Sequence, residues 1–394
     1  MPEVGLVLAG GGARGAYEAG AASVLFPVLE QRGERPEILL GTSAGALNVS
    51  FLAATAHLPT NDVMATALGI WASVRWSEVA RQLLSDASVR RAAAYVGEFL
   101  GVPGSRLESL LDPAPLGTTL RERVDFEQLD ENVRAGRVAA VGVAATSALT
   151  GRSVVFHSGG PKLAPDRRRG IDYVSTALRE DQVLASAAIP TVFPAVHVEQ
   201  PAEARGWYFD GGTRLNTPIK PALALGAKRV VVIGVDSLAT GPPQLAGGPR
   251  PDALQAAGQT LLGLLDDQLR ADLLTLASIN ELLADIDGRA RAGKRRVPYI
   301  VIAPAERGAI AARALRVVRE HYSGFLSALR SPNIALLSRA VAGGLDEQHA
   351  ALLSFLLFAP EFTSALIELG REDAQRWLDD SHDFEDLWQI GHLV

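Results

Sequence analysis

The most constraining feature of this sequence lies in its first 56 residues. Residues 4–9 form a short apolar run that stops at Gly10-Gly11-Gly12. Residues 15–30 show helical spacing, with Tyr17, Val24, Leu25 and Val28 as apolar marks. A second apolar run, residues 37–40, stops at Gly41-Thr42-Ser43-Ala44-Gly45, and residues 46–56 continue as an apolar helix. Strand, helix, strand, helix at this spacing is a βαβ unit. Its strands pair in parallel through a right-handed crossover, and its helices cover a sheet face. The expected class is therefore α/β, with glycine-rich turns at two consecutive strand ends.

The rest of the chain extends that pattern. Residues 57–125 are helical in period and broken by Pro59, Pro103, Pro113 and Pro115, as expected of a helical insertion over one end of the sheet. Residues 137–146 and 152–157 read as a hairpin, and 182–188 as a short helix ended by Ile189-Pro190. Residues 206–209 form a strand that closes on Asp210-Gly211-Gly212. Residues 229–235 (Arg-Val-Val-Val-Ile-Gly-Val) are the clearest buried strand. Residues 241–251, rich in Gly and Pro, read as a linker or a loop. A strand pattern at 297–303 then supplies a last sheet strand. Helical patterns fill 251–291, 309–329 and everything from Ser331 onward. The expected division is a domain over 1–330, with its motifs within 4–235, and a helical C-terminal region over 331–394.

Composition excludes several functions. Hydrophobic residues make up 48% of the 394 positions and charged residues 21%, enough apolar material for a large core. The formal charge of −6 offers no electrostatic footprint for nucleic acid. With no cysteine there is no thiol nucleophile, disulfide or thiolate metal site, and no His/Asp/Glu cluster has metal spacing. No metal and no cofactor are expected. The N-terminal residues carry neither a basic n-region nor an apolar h-region, and no stretch reaches the roughly 18 apolar residues of a membrane span. The expected location is cytoplasmic, with at most peripheral membrane contact.

Three motifs carry chemistry. Gly41-Thr42-Ser43-Ala44-Gly45 fits G-x-S-x-G, a short pattern that gains meaning from its place between a strand and a helix. There, a nucleophile sits in a strained turn, and the following helix points its N-terminal N–H groups at it. A tight turn with Ser43 as a plain helix cap is the alternative. Gly10-Gly11-Gly12-Ala13-Arg14-Gly15 also closes a strand and opens a helix. Its glycines let a substrate oxygen approach exposed N–H groups, as in an oxyanion hole, and Arg14 supports that loop or adds its charge. Gly10, Gly12 and Gly15 also fit the dinucleotide fingerprint G-x-G-x-x-G, but the acidic residue expected at the end of the second strand is missing. Asp210-Gly211-Gly212 places a carboxylate at a strand end, or is an ordinary Asp-Gly turn. None of the seven histidines (His57, His157, His197, His321, His349, His382, His392) sits in a motif. A Ser-acid-His order would call on His321 or a later histidine, all within helical sequence; the alternative is a dyad in which the carboxylate of Asp210 takes the Ser43 proton directly.

Taken together, these motifs resemble those of the patatin-like phospholipases, the Ser-Asp lipid acyl hydrolases. Gly10 to Gly15 is similar to the family's oxyanion motif, Gly41 to Gly45 to its nucleophile elbow, and Asp210-Gly211-Gly212 to its acid motif. Two connecting stretches also look like the family. One is Ala185-Ser186-Ala187-Ala188-Ile189-Pro190 leading to Phe193-Pro194. The other is Asn216-Thr217-Pro218 leading to Leu225-Gly226-Ala227. Thr191 stands where the family often has a smaller residue. The resemblance implies a three-layer α/β/α sandwich with a central, mostly parallel sheet. It also implies hydrolysis of fatty-acyl esters by Ser43 with Asp210, the oxyanion held at Gly10, Gly11, Gly12 and Arg14, and support from Gly15, Gly41, Gly45, Gly211 and Gly212.

Two features lie outside the motifs. Arg167-Arg168-Arg169 and Lys294-Arg295-Arg296 can face anionic lipid head groups, or can be solvated loops. The apolar stretch at 352–362 can be core, lid, lipid-entry surface or a face for oligomerisation. A second functional class, a regulatory or scaffold protein whose C-terminal helices bind a partner, follows from the same helical region.

Overall fold

The computed structural model describes residues 4–81, 109, 111–239, 253–285, 295–322, 334, 347–380 and 387–390. The linker reading at 241–251, Lys294, Ser331 and the parts of the helical readings at 82–108 (with Pro103), 286–291 and 323–329 lie outside the described residues.

Each buried run with turn residues at its end becomes a strand of one nine-stranded sheet. Five strands run parallel at its centre and one edge. β2 (Ile38–Thr42) lies between β1 (Val4–Leu8) and β3 (Ala140–Ser147), and β8 (Arg229–Ile233) and β9 (Tyr299–Ile302) continue on the far side of β1. On the other edge, β4 (Ser153–Gly159) turns back antiparallel to β3, and β5 (Ile171–Ser175) lies parallel to β4. β7 (Gly206–Asp210) runs antiparallel to the end of β3 and carries β6 (Val196–Val198). The hairpin expected at 137–157 is thus β3–β4.

Alternation along the central strands makes three layers, because successive side chains point to opposite faces. Leu6, Leu8, Leu39, Val231, Ile233, Ile300 and Ile302 face one apolar core; Val7, Ile38, Leu40, Val230, Val232 and Val301 face another. The first core is covered by α1 (Gly15–Gln31) and α2 (Ala44–Ala54), with α3 (Thr60–Ser73) and α4 (Trp76–Val79) beside them. Further along the chain come α5 (Ala114–Arg123), α6 (Phe126–Arg134) and α7 (Glu180–Ser186). The second core is covered by α8 (Ile219–Ala224) and α9 (Ala253–Asp285), through Ile219, Leu269, Leu273 and Leu276. The molecule is a three-layer α/β/α sandwich with a mostly parallel sheet and a helical C-terminal region.

The C-terminal helices pack on the first layer. After α10 (Ala309–Val317) come α11 (Glu347–Leu356) and α12 (Pro360–Asp380). α12 crosses α1 closely: a Cβ at Gly20 would strike the carbonyl of Ile367, and one at Gly370 the carbonyl of Tyr17. The Tyr17 hydroxyl donates to Asp373 Oδ2 at 3.0 Å across the same crossing. Trp388 donates to Glu34 Oε2 at 3.0 Å, and Gln389 exchanges 2.8 Å backbone bonds with Tyr299 at the sheet edge. Among the described residues no single helix is long and apolar enough to cross a membrane. The pair Ala350–Leu356 and Pro360–Asp380 passes that test only together, bent by 103°.

Candidate active site

One strand measures out the site. β3 has β4 along one edge, so β2 and β7 must share the other. β2 follows that edge as far as Thr42 opposite Ala144; β7 takes it up at the next position, with Asp210 opposite Ala145. The chain leaves β2 at Ser43, where the sheet edge passes to Asp210. Two residues distant in sequence therefore meet because their strands abut end to end on a common neighbour.

Ser43 has φ 53° and ψ −122°, the left-handed half of the map that a side chain rarely adopts. The glycines around it permit the turn. A Cβ at Gly41 would strike the Gly45 carbonyl, and one at Gly45 would meet Ala9 O at 2.7 Å. The turn aims the N-terminus of α2 at Ser43, which is 5% exposed. Its N–H donates to Ser186 Oγ at 2.9 Å, and Ser186 donates in turn to Ala144 O at 2.6 Å. Ser186 thus ties the elbow to β3 and α7. Thr42 Oγ1 donates to Leu215 O at 2.9 Å on the other side.

Asp210 is 1% exposed. Its Oδ1 accepts the Gly212 N–H at 2.7 Å, and its own N–H donates to Ala188 O at 2.8 Å. A Cβ at Gly211 would strike the Ala144 carbonyl, so the acid motif lies flat on β3. Oδ2 is buried without a bond of ordinary geometry among the described residues. Burial pushes the carboxyl up to about 7; the Ser43 hydroxyl and the Gly212 N–H pull it the other way. The Ser43 hydroxyl therefore acts on this carboxyl from a looser approach than a formed bond, as apo sites commonly show.

The glycine loop lies against the elbow: a Cβ at Gly10 would come within 3.1 Å of Ser43 Cβ. The Gly10 N–H, expected to help hold an oxyanion, is already taken by Asn216, with 3.2 Å to O and 3.0 Å to Oδ1. Gly11 and Gly12 open a short 3₁₀ turn, and the N–H groups there have no acceptor within it. Gly12 and Ser43 line the same cavity. Gly12 has φ +57°, and a Cβ there would strike the carbonyl of Phe355.

The nitrogens of Arg14 tie this loop to the rest of the fold. The residue is 3% exposed: Nε donates to Ser354 Oγ at 2.8 Å, one terminal nitrogen to Asp236 Oδ1 at 2.7 Å, the other to Ala351 O at 3.0 Å. The guanidinium stacks 3.9 Å from the Phe355 ring centroid. The loop is bolted to α11. Gly15 leaves room for Trp71, whose ring a Cβ would meet at 2.7 Å.

Ser43 lies in the wall of an apolar cavity of about 120 Å³, partly open to solvent. Leu47, Phe51, Trp71, Leu120, Phe193 and Phe355 line it. Asn48 is a polar exception that donates to Glu18 Oε2 at 2.8 Å and accepts from Trp71 Nε1 at 2.8 Å. Glu18 is wholly buried, and burial pushes its carboxyl well above the usual range. Ser186, Asn216, Asn48 and Glu18 carry roles that sequence reasoning did not assign. Ser186 and Asn216 lay inside the two connecting stretches, whereas Asn48 lies in a stretch read only as an apolar helix. Glu18 gave no signal.

Of the histidines, His57 contacts Asn132 Nδ2 at 3.4 Å, His157 the Gly159 carbonyl at 2.9 Å, and His197 Glu199 at 2.9 Å. His321 lies 4.0 Å from Glu320. The side chain of His349 and all of His382 and His392 lie outside the described residues.

A family model described as patatin-like phospholipase matches residues 6–223. No curated protein matches the chain. Among solved structures, the crystal structure of VipD from Legionella pneumophila is similar at 14% identity with a TM-score of 0.32. That match covers 77% of this chain and 62% of the VipD chain. The family match spans more than half of the sequence and contains all three motifs, and on it the chain belongs to the patatin-like phospholipase family.

Proposed function

We propose that this protein is a serine acyl hydrolase of phospholipids or related lipid esters, working through Ser43 and Asp210. The observation that carries the reading is the junction on β3. It sets a strained serine beside a buried carboxyl in the wall of an apolar cavity.

Ser43 Oγ attacks the acyl carbonyl carbon while its proton passes to Asp210 Oδ2, the oxygen without a partner. The tetrahedral oxyanion accepts from the Gly11 and Gly12 N–H groups. As the ester C–O bond breaks, the proton passes from Asp210 to the departing alcohol. Water then enters, gives its proton to Asp210 and attacks the acyl-enzyme. Collapse of the second tetrahedral species releases the fatty acid and returns the proton to Ser43. A carboxylate is a weak base for an alcohol. Burial offsets that here by bringing Asp210 up to about 7, so its conjugate acid forms more readily.

The scaffold reading loses ground because the C-terminal helices serve the site: α11 holds the oxyanion loop through Arg14 and Phe355. The test is labelling by a fluorophosphonate together with turnover of acyl esters. Ser43→Ala abolishes both, and Asp210→Asn abolishes turnover. Full labelling of Ser43→Ala, or undiminished turnover by Asp210→Asn, refutes the mechanism.

A further inference from the structure

The most exposed large apolar side chain among the described residues is Leu149, at 93%; Trp207 is 57% exposed. They are neighbours. Leu149 tips the turn between β3 and β4, and the preceding residue, Ala148, donates its N–H to Trp207 O at 2.9 Å. Both lie at the sheet end that carries the site. Asp210 is opposite Ala145, and Trp207 lies three residues further out along β7, about 10 Å at the usual rise of a strand.

The Arg167-Arg168-Arg169 run reaches the same end. Thr146 on β3 is opposite Ser153 on β4, Ser153 is opposite Ile171 on β5, and the run immediately precedes β5. The Ser153 N–H donates to Gly170 O at 3.0 Å, which fixes the arginine turn beside the Leu149 turn. Arg214 also comes there, its guanidinium 3.7 Å from where a Cβ on Gly151 would stand. Acidic groups at this end are mostly engaged. Asp172 pairs with Arg152 at 2.8 Å, and Asp166 accepts the N–H groups of Arg168 and Arg169 at 3.1 Å. Glu199 contacts His197 at 2.9 Å and Arg205 at 3.5 Å, and Asp272 on α9 faces Arg169. Arg167, Arg168 and Arg214 are exposed and form no ion pair among the described residues.

We propose that this sheet end, with Leu149 and Trp207 ringed by Arg167, Arg168 and Arg214, is the surface by which the protein docks on an anionic lipid bilayer. The inference rests on the acyl hydrolase reading for its purpose and not for its geometry. On a chain of net charge −6, a local excess of unpaired arginines is complementary to lipid phosphates. A solitary leucine at a turn tip and an exposed tryptophan on the adjoining strand, its ring 4.9 Å from that of His197, suit the interfacial layer. A bilayer there lies across the end of the strands from which Ser43 acts.

The experiment is co-sedimentation of the Ser43→Ala protein with vesicles. Pure phosphatidylcholine is compared with vesicles in which about a third of the lipid is phosphatidylglycerol. The protein partitions onto the anionic vesicles and is released by salt. Arg167→Glu with Arg168→Glu weakens that partition by at least about 25-fold at low salt, from about fivefold per arginine. Leu149→Asp, at a fully solvated turn, weakens it about tenfold. Placed on the active chain, these changes spare turnover of a soluble short-chain ester and lower turnover of vesicle phospholipid. Equal binding by the variants, or no binding to anionic vesicles, overturns the proposal; the second outcome would make the patch a protein interface. Failure of fluorophosphonate labelling refutes the hydrolase reading separately and leaves the partition result standing.

Discussion

Asp210→Asn should make the protein more stable while making it inactive, and the gain should depend on pH. Burial takes this carboxyl from its ordinary 3.8 to about 7. In the unfolded chain it ionises near 3.8; in the fold it keeps its proton to about 7. Between those values the native state binds the extra proton, so the stability this group confers is full below about pH 4 and is lost as pH rises through 7. At 1.36 kcal/mol per pH unit, ionising it in place costs about 4 kcal/mol at pH 8 and under about 2 kcal/mol at pH 5. Asparagine keeps the acceptor for the Gly212 N–H and never ionises. Urea unfolding of both proteins at the two pH values measures the difference. The advantage of the variant should grow by about 2.5 kcal/mol from pH 5 to pH 8. A pH-independent difference, or a variant that is less stable at pH 8, would refute the claim that burial strains this carboxylate.

The same ionisation governs the reaction: kcat/KM for a soluble ester should rise with pH to a plateau, with its midpoint near 7. Gly12→Ala forces the loop off the Phe355 carbonyl and should lower kcat about 10²- to 10³-fold with a small change in KM, read by ester turnover. Ser186→Ala orphans the Ser43 N–H and the Ala144 carbonyl. It should cost about 1–3 kcal/mol in urea unfolding and slow fluorophosphonate labelling. Thr191 is exposed at φ 68°, a conformation poor for a β-branched residue. Thr191→Asn should therefore stabilise by about 0.5–1 kcal/mol in thermal unfolding at unchanged activity.

The parts legible in the sequence were those governed by local rules. Each long apolar run ending in glycine became a central strand, because burial on both faces leaves an unbroken hydrophobic signal. β5 and β6 escaped notice. Ile171–Ser175 carries Asp172 at an edge held by Arg152, and Val196–Val198 is three residues long. The chemistry-bearing motifs were visible because elbows and tight turns demand glycine. The engagement of the Gly10 N–H by Asn216, the bolt from Arg14 to α11 and the Ser186 bridge depend on partners hundreds of residues away or on a register. No local pattern encodes these.

The bolt also bears on when the site is assembled. The glycine loop leaves the ribosome about 340 residues ahead of Ser354, which holds it together with Ala351 and Phe355. At typical rates of synthesis the interval is on the order of tens of seconds. During that time Ser43 and the loop exist without the helix that fixes their geometry. A nascent chain that stops short of α11 therefore lacks the loop geometry on which the proposed hydrolysis depends, and the site is complete only once α11 has been made.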